Sequence, residues 1–143
     1  MKYHGCIMDF TDKRNSELMK VFRAKTANSQ HIDIDKISEE VANSPCSRFW
    51  VSEERAVIVI HDIIRGRPVL DTMRQYKREM FAEIHRRVME LQKKHPKLSL
   101  MQLVIKVVNS PAPKFYMKPR SVMQTIYKIR SGFYKRQKRY FNL

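Results

Sequence analysis

Residues 107–132 read VVNSPAPKFYMKPRSVMQTIYKIRSG, and residues 41–66, lying 66 positions earlier, read VANSPCSRFWVSEERAVIVIHDIIRG without a gap between the two registers. Eight of the 26 aligned positions are identical: Val41/Val107, Asn43/Asn109, Ser44/Ser110, Pro45/Pro111, Phe49/Phe115, Ile60/Ile126, Ile63/Ile129 and Gly66/Gly132. Arg48/Lys114, Trp50/Tyr116 and Val51/Met117 keep chemical type. Average residue usage yields roughly one or two identities by chance. The alignment is that of an internal duplication, and a repeat of fixed period sets the fold before local propensity does.

Each copy reads as a helix end, a loop with proline and an aromatic pair, and a second helix. Working outward, Thr11 caps a helix over 12–27 that carries Leu18, Val21 and Phe22 at helical spacing. Asp33 caps the next, with Ile34, Ile37 and Val41 inward, and Asn43-Ser44-Pro45 ends it because proline cannot continue a helix. Ser52, followed by Glu53 and Glu54, opens a third helix that stops at Gly66. In the second copy Thr72 and Gln75 have capping-box spacing before a long helix over 73–94, striped by Tyr76, Met80, Ile84, Val88 and Leu91. Ser99 and Gln102 repeat the capping box before a helix over 100–109, and Lys118-Pro119 opens the last, with Val122, Ile126 and Ile129 inward.

Strand signals are nearly missing. The expected fold is all-α, a tandem duplication of a three-helix, helix-turn-helix-like unit: a charge-neutral first repeat over 1–66, a basic second repeat over 67–132, and a basic aromatic tail or helix extension over 133–143. A unit of this size buries only roughly 60% of its unfolded surface, so the two copies are expected to pack on one another.

The net charge is +15, and its division says more than its total. Residues 1–66 hold 10 basic and 10 acidic side chains, whereas residues 67–143 hold 19 and 4; beyond Glu90 there are 13 cations and no acid. A surface of this kind suits a polyanion, nucleic acid before anionic membrane. On the last helix the outward side chains are read as Arg120, Ser121, Gln124, Thr125, Lys128 and Arg130, with Lys114 and Lys118 beside the loop. These types contact base edges and phosphates. The tail adds Lys135, Arg136, Lys138 and Arg139, with Tyr134 and Tyr140 between them; with Phe115 and Tyr116 these tyrosines are candidates for stacking on unpaired bases. The loop between the second and third helices is longer than that of a helix-turn-helix, so groove geometry is not inherited from that motif. In the first copy the corresponding face carries Ile58, Val59 and Ile64, the surface of a protein interface or of self-association.

The function expected from the residues is nucleic-acid binding, DNA before RNA, with a transcription-regulatory or architectural role. The alternatives are an RNA-binding or ribosome-associated protein, and a structural or assembly protein whose neutral repeat docks on protein partners. Three glycines leave no glycine-rich phosphate loop, and no metalloprotease motif or Ser/His/Asp spacing occurs. Glu79 and Glu83 fit ion pairs with Arg86 and Arg87 better than a metal. No enzymatic activity, metal, cofactor or small-molecule substrate is therefore expected. Two scattered cysteines, Cys6 and Cys46, suit a reducing compartment, and the lack of an apolar leader or an apolar run of spanning length leads to the expectation of a soluble cytoplasmic protein, neither secreted nor held in a membrane.

Overall fold

The computed structural model describes residues 7–132, with side chains from Phe10 onward. Its elements are six α-helices, α1 (Ile7–Thr26), α2 (Ile34–Ala42), α3 (Glu53–Ile64), α4 (Gln75–Lys94), α5 (Leu100–Val108) and α6 (Pro119–Arg130), with a 3-10 turn at Val69–Thr72 before α4. Among the described residues there is no strand, only an isolated antiparallel bridge between Cys46 and Ala112. The fold is all-helical, as the sequence leads one to expect.

Capping chemistry sets most of the bounds. Asp33 accepts from the backbone N–H groups of Asp35 and Lys36 at 3.1 and 3.3 Å, and Ser52 accepts from that of Arg55 at 3.1 Å. Ser99 and Gln102 close a reciprocal capping box. Proline at the first position of α6 loses no hydrogen bond, since its missing N–H has no intrahelical acceptor there. Gly66 (φ 78°) and Gly132 (φ 75°) end α3 and α6 in the left-handed region that glycine enters without a Cβ penalty. Behind Gly66, the Arg67 N–H reaches the Asp62 carbonyl at 3.0 Å.

Two starts differ from expectation. α1 begins at Ile7, so Thr11 lies inside it; nothing in residues 7–11 breaks a helix, and an internal threonine costs only a few tenths of a kcal/mol. α4 begins at Gln75 with Arg74 as its uncapped N-cap, because Thr72 is taken up by the 3-10 turn, where its hydroxyl donates to Val69.

The bounds of α5 and α6 each lie 66 positions after those of α2 and α3. The packing is crossed between these pairs. α3 rests on α5 and α4, and α6 rests on α2 and α1, while the sequence neighbours α2 and α3, like α5 and α6, do not pack together. The intervening loops are stitched in the same crossed sense. Cys46 and Ala112 exchange both backbone hydrogen bonds (3.0 and 2.9 Å), the Phe49 N–H donates to the Val108 carbonyl (3.0 Å), and the Phe115 N–H donates to the Ala42 carbonyl (3.1 Å). Each contact maps onto its partner by the same shift of 66, the relation that a two-fold interface imposes on two subunits. Leu18 and Phe22 of α1, Val41 of α2, Ile60 of α3, Ile84 of α4, Leu103 of α5 and Ile126 of α6 are buried in one continuous core.

Candidate nucleic-acid interface

The acids of the basic half are largely consumed internally. Glu83 pairs with Arg86 and Arg87, Glu90 with Arg86, and Glu79 with Lys114 at 3.2 Å. Glu79 thus takes a loop lysine rather than the arginines of its own helix; Gln75 and Lys114 hold its carboxyl below the usual range. Arg87 also donates to the Pro111 carbonyl at 2.6 Å and lies 5.0 Å from the centre of the Phe49 ring, tying α4 to both aromatic loops.

Several further cations converge elsewhere. A cleft of about 350 Å³ opens between α6, the start of α4 and α1. Five cationic residues line it: Arg14 from α1, Arg74 at the N-cap of α4 with Lys77 inside it, and Lys118 at the N-cap of α6 with Lys128 inside it; among the described residues no carboxylate does. Tyr76 and Tyr116 supply its aromatic surface, and Ser121 and Gln124 its neutral polar groups. On α6, Arg120, Gln124, Tyr127, Lys128 and Ser131 are exposed and recur at i, i+4, i+7, i+8 and i+11, forming one stripe that runs on from the cleft.

The expected site residues separate accordingly. Lys118, Ser121, Gln124 and Lys128 come together in the cleft with Tyr116, and Arg120 lies on the adjoining stripe. Lys114 is turned inward, paired with Glu79 and 5.3 Å from the centre of the Tyr116 ring. The Arg130 guanidinium lies over the Phe22 ring of α1 at 5.2 Å. Thr125, read as outward from the sequence, is only 7% exposed at the cleft floor, because the buried face of α6 includes the i+3 position after Val122 as well as Ile126. Val59 is corrected on the same ground: it stands 66 positions before Thr125 and is fully buried, as are Ala56 and Ile60 on the same helix. Ile58 (55% exposed) and Ile64 (46% exposed) do face outward. Phe115 is buried and has no face for a base, whereas Tyr116 is half-buried and stacked on Phe49 with centroids 6.0 Å apart. Lys135, Arg136, Lys138, Arg139, Tyr134 and Tyr140 lie outside the described residues.

Tyr116 holds φ at 56°, the only positive φ at a non-glycine among the described residues. A bulky side chain in that region costs about 1–3 kcal/mol, which the surrounding structure must offset. Burial first, then the Glu83 carboxylate, pushes its phenol up to about 12. Arg14, Arg74 and Lys77 had escaped attention in the sequence because no local motif links them to α6. Their side chains meet it only through the crossed packing.

Among the described residues there is no group of three or more His, Cys, Asp or Glu side chains placed to hold a metal, and no helix long and apolar enough to cross a membrane. Comparison with protein-family models, curated proteins and solved structures finds no match to the chain.

Proposed function

We propose that this chain is an intracellular nucleic-acid-binding protein, regulatory or architectural in role, whose cleft between α1, α4 and α6 seats a phosphate backbone. The observation that carries the reading is the convergence of five cationic residues on one cleft with, among the described residues, no carboxylate in its lining. Phosphate contacts of this kind fix register and orientation, while base edges supply sequence information. The stripe from Arg120 to Ser131 spans about 16 Å along its helix, a length that a major groove about 12 Å wide accepts. Duplex DNA is the ligand that uses both surfaces together. Tyr76 and Tyr116 in the cleft favour, as a second reading, a single-stranded RNA that stacks there.

The repeat belongs to the same proposal. The recurrence of element bounds, loop hydrogen bonds and terminal glycines at a shift of 66 supports a duplicated three-helix unit whose third helices are exchanged. Residue 66 is then a boundary in the sequence repeat rather than between folding units. Ile58 and Ile64 on α3 stand where α6 carries Gln124 and Arg130, and we assign them to contact with a protein partner or a second copy.

The test is fluorescence anisotropy of the full chain against duplex DNA, single-stranded DNA and structured RNA of mixed sequence, each titrated across salt. Duplex binding with a steep logarithmic salt dependence supports the reading. Failure of every polyanion to bind below about 10 μM near physiological salt, where even non-specific binders act, overturns it.

A further inference from the structure

A second and larger cleft, about 790 Å³, lies on the other side of a ridge formed by Arg14, Arg74 and Lys77, which line both. Its character is different. Trp50, Phe10, Met73, Met80 and Phe81 give it an apolar, aromatic surface, and Arg55 joins the three ridge cations at its edge. Among the described residues no carboxylate lines it. Trp50 stands one repeat before Tyr116 and is half-buried, with the Arg48 guanidinium 5.6 Å from its ring centre. Arg48 is itself pinned by donating to the Phe49 and Val51 carbonyls at 2.9 and 2.6 Å, so the indole is backed by a fixed cation. An apolar recess bordered by cations, within the ordinary size range of ligand sites, matches a flat heteroaromatic group with an anion attached on either side.

We infer that the larger cleft receives an unpaired nucleobase of a bound strand, stacked on Trp50, while the flanking phosphates lie on Arg14, Arg74 and Lys77. This rests on the proposed nucleic-acid binding and adds to it a site that reads unstacked bases. The shared ridge explains why the two clefts are adjacent. A strand leaving the phosphate-lined cleft passes over the same three cations before its base enters the apolar one. Base stacking on an aromatic side chain is sequence-tolerant and falls about 5- to 150-fold when the aromatic is removed.

Trp50 is the only tryptophan of the chain, so intrinsic fluorescence reports on this cleft alone. The full-length protein is titrated with oligothymidylate of about eight nucleotides, within the site sizes of single-strand binders, with an abasic oligomer of equal length, with thymidine monophosphate and with a blunt duplex. Emission and the anisotropy of a labelled strand are followed together. The expected result is quenching by oligothymidylate and none by the abasic oligomer, with Trp50→Leu weakening oligothymidylate about tenfold and leaving the abasic oligomer and the duplex unchanged. Trp50→Phe, which keeps a stacking ring, restores most of the loss. Binding of oligothymidylate without a change in emission overturns the base site while leaving the phosphate cleft standing. Equal weakening of all ligands by Trp50→Leu overturns it as well, since the residue is then only structural. A monophosphate as tight as the oligomer replaces the strand with a free nucleotide and refutes the assignment to a strand. Loss of binding to every polyanion removes the parent reading too, so the two failures are told apart.

Discussion

The cleft between α1, α4 and α6 makes a quantitative demand on salt dependence. Each phosphate neutralised on B-DNA contributes about −0.9 to the slope of log affinity against log salt, so on the proposed function the five cationic residues at the cleft are expected to contribute about −4.5. Between 50 and 200 mM salt that contribution alone weakens binding about 500-fold. Substituting Arg74, Lys77 and Lys128 together with alanine removes three contacts and flattens the slope by about 2.7, which leaves about a 12-fold loss from the cleft over the same interval. Residues elsewhere in the chain add to both proteins equally, so the difference is the quantity to read. The control is a triple alanine variant at Lys93, Lys94 and Lys97, which are exposed and have the same summed charge. Lys94 lies 17 residues along α4 from Lys77, about 25 Å at 1.5 Å per residue and well beyond the Debye length at physiological salt. Anisotropy titrations of one duplex at four or more salt concentrations compare the three proteins. Equal flattening in both variants refutes the reasoning, because net charge rather than the cleft then governs binding.

The crossed packing and the loops allow further tests. Cys46 and Ala112 exchange both backbone hydrogen bonds, a pairing that sets Cα atoms about 5.5 Å apart and within reach of a disulfide; Ala112→Cys in a Cys6→Ser background is expected to crosslink to Cys46 on mild oxidation, seen as a mobility shift reversed by reductant, and failure to crosslink would contradict the loop pairing. Ile58→Asp is expected to leave circular dichroism and melting unchanged while abolishing any self-association seen by light scattering, whereas Val59→Asp, which puts a charge in the core, is expected to unfold the chain. Gly66→Ala meets no atom within 4 Å but must hold φ at +78°, so strain alone is expected to cost about 1 kcal/mol in a urea titration. Burial and Glu17 push the Cys46 thiol up to about 11, and Tyr116 is raised to about 12. Both groups hold their protons more tightly when folded, so their contribution to stability is complete below about pH 9 and is lost as the pH rises through 9–11 for the thiol and 10–12 for the phenol; Tyr116→Phe should reduce the loss in the upper part of that window, and an undiminished loss there argues against burial of the phenol.

What the sequence made legible follows from the range of the forces concerned. Caps at Asp33, Ser52 and Ser99, the proline start of α6 and the glycine stops are decided within a few residues, and each stands where a local reading places it. The crossed packing of α3 on α5 and of α6 on α2 was not legible. α2 and α5 offer the same apolar spacing, Ile37/Val41 and Leu103/Val107, so the buried stripe of α3 or α6 specifies that a partner exists without specifying which copy supplies it. The cleft between α1, α4 and α6 was hidden for that reason, since Arg14 and Arg74 reach Lys118 and Lys128 only once α6 has crossed to α1. The misread Thr125 and Val59 share a different cause: a stripe taken at i, i+4 and i+7 leaves out the i+3 position that widens a helix's buried face. Burial also separates what is kept from what changes at the shift of 66. Ile60 and Ile126 are identical and buried, whereas the exposed Glu54 and Ile58 and the half-buried Asp62 stand opposite the exposed Arg120, Gln124 and Lys128. An exposed residue bears little packing constraint, so a scaffold duplicated as proposed can hold its core while one outer face becomes cationic and the other keeps apolar side chains. On the proposed reading, two opposite surfaces at positions 66 apart call for two kinds of partner, since solubility alone would be satisfied on both faces by the same polar residues.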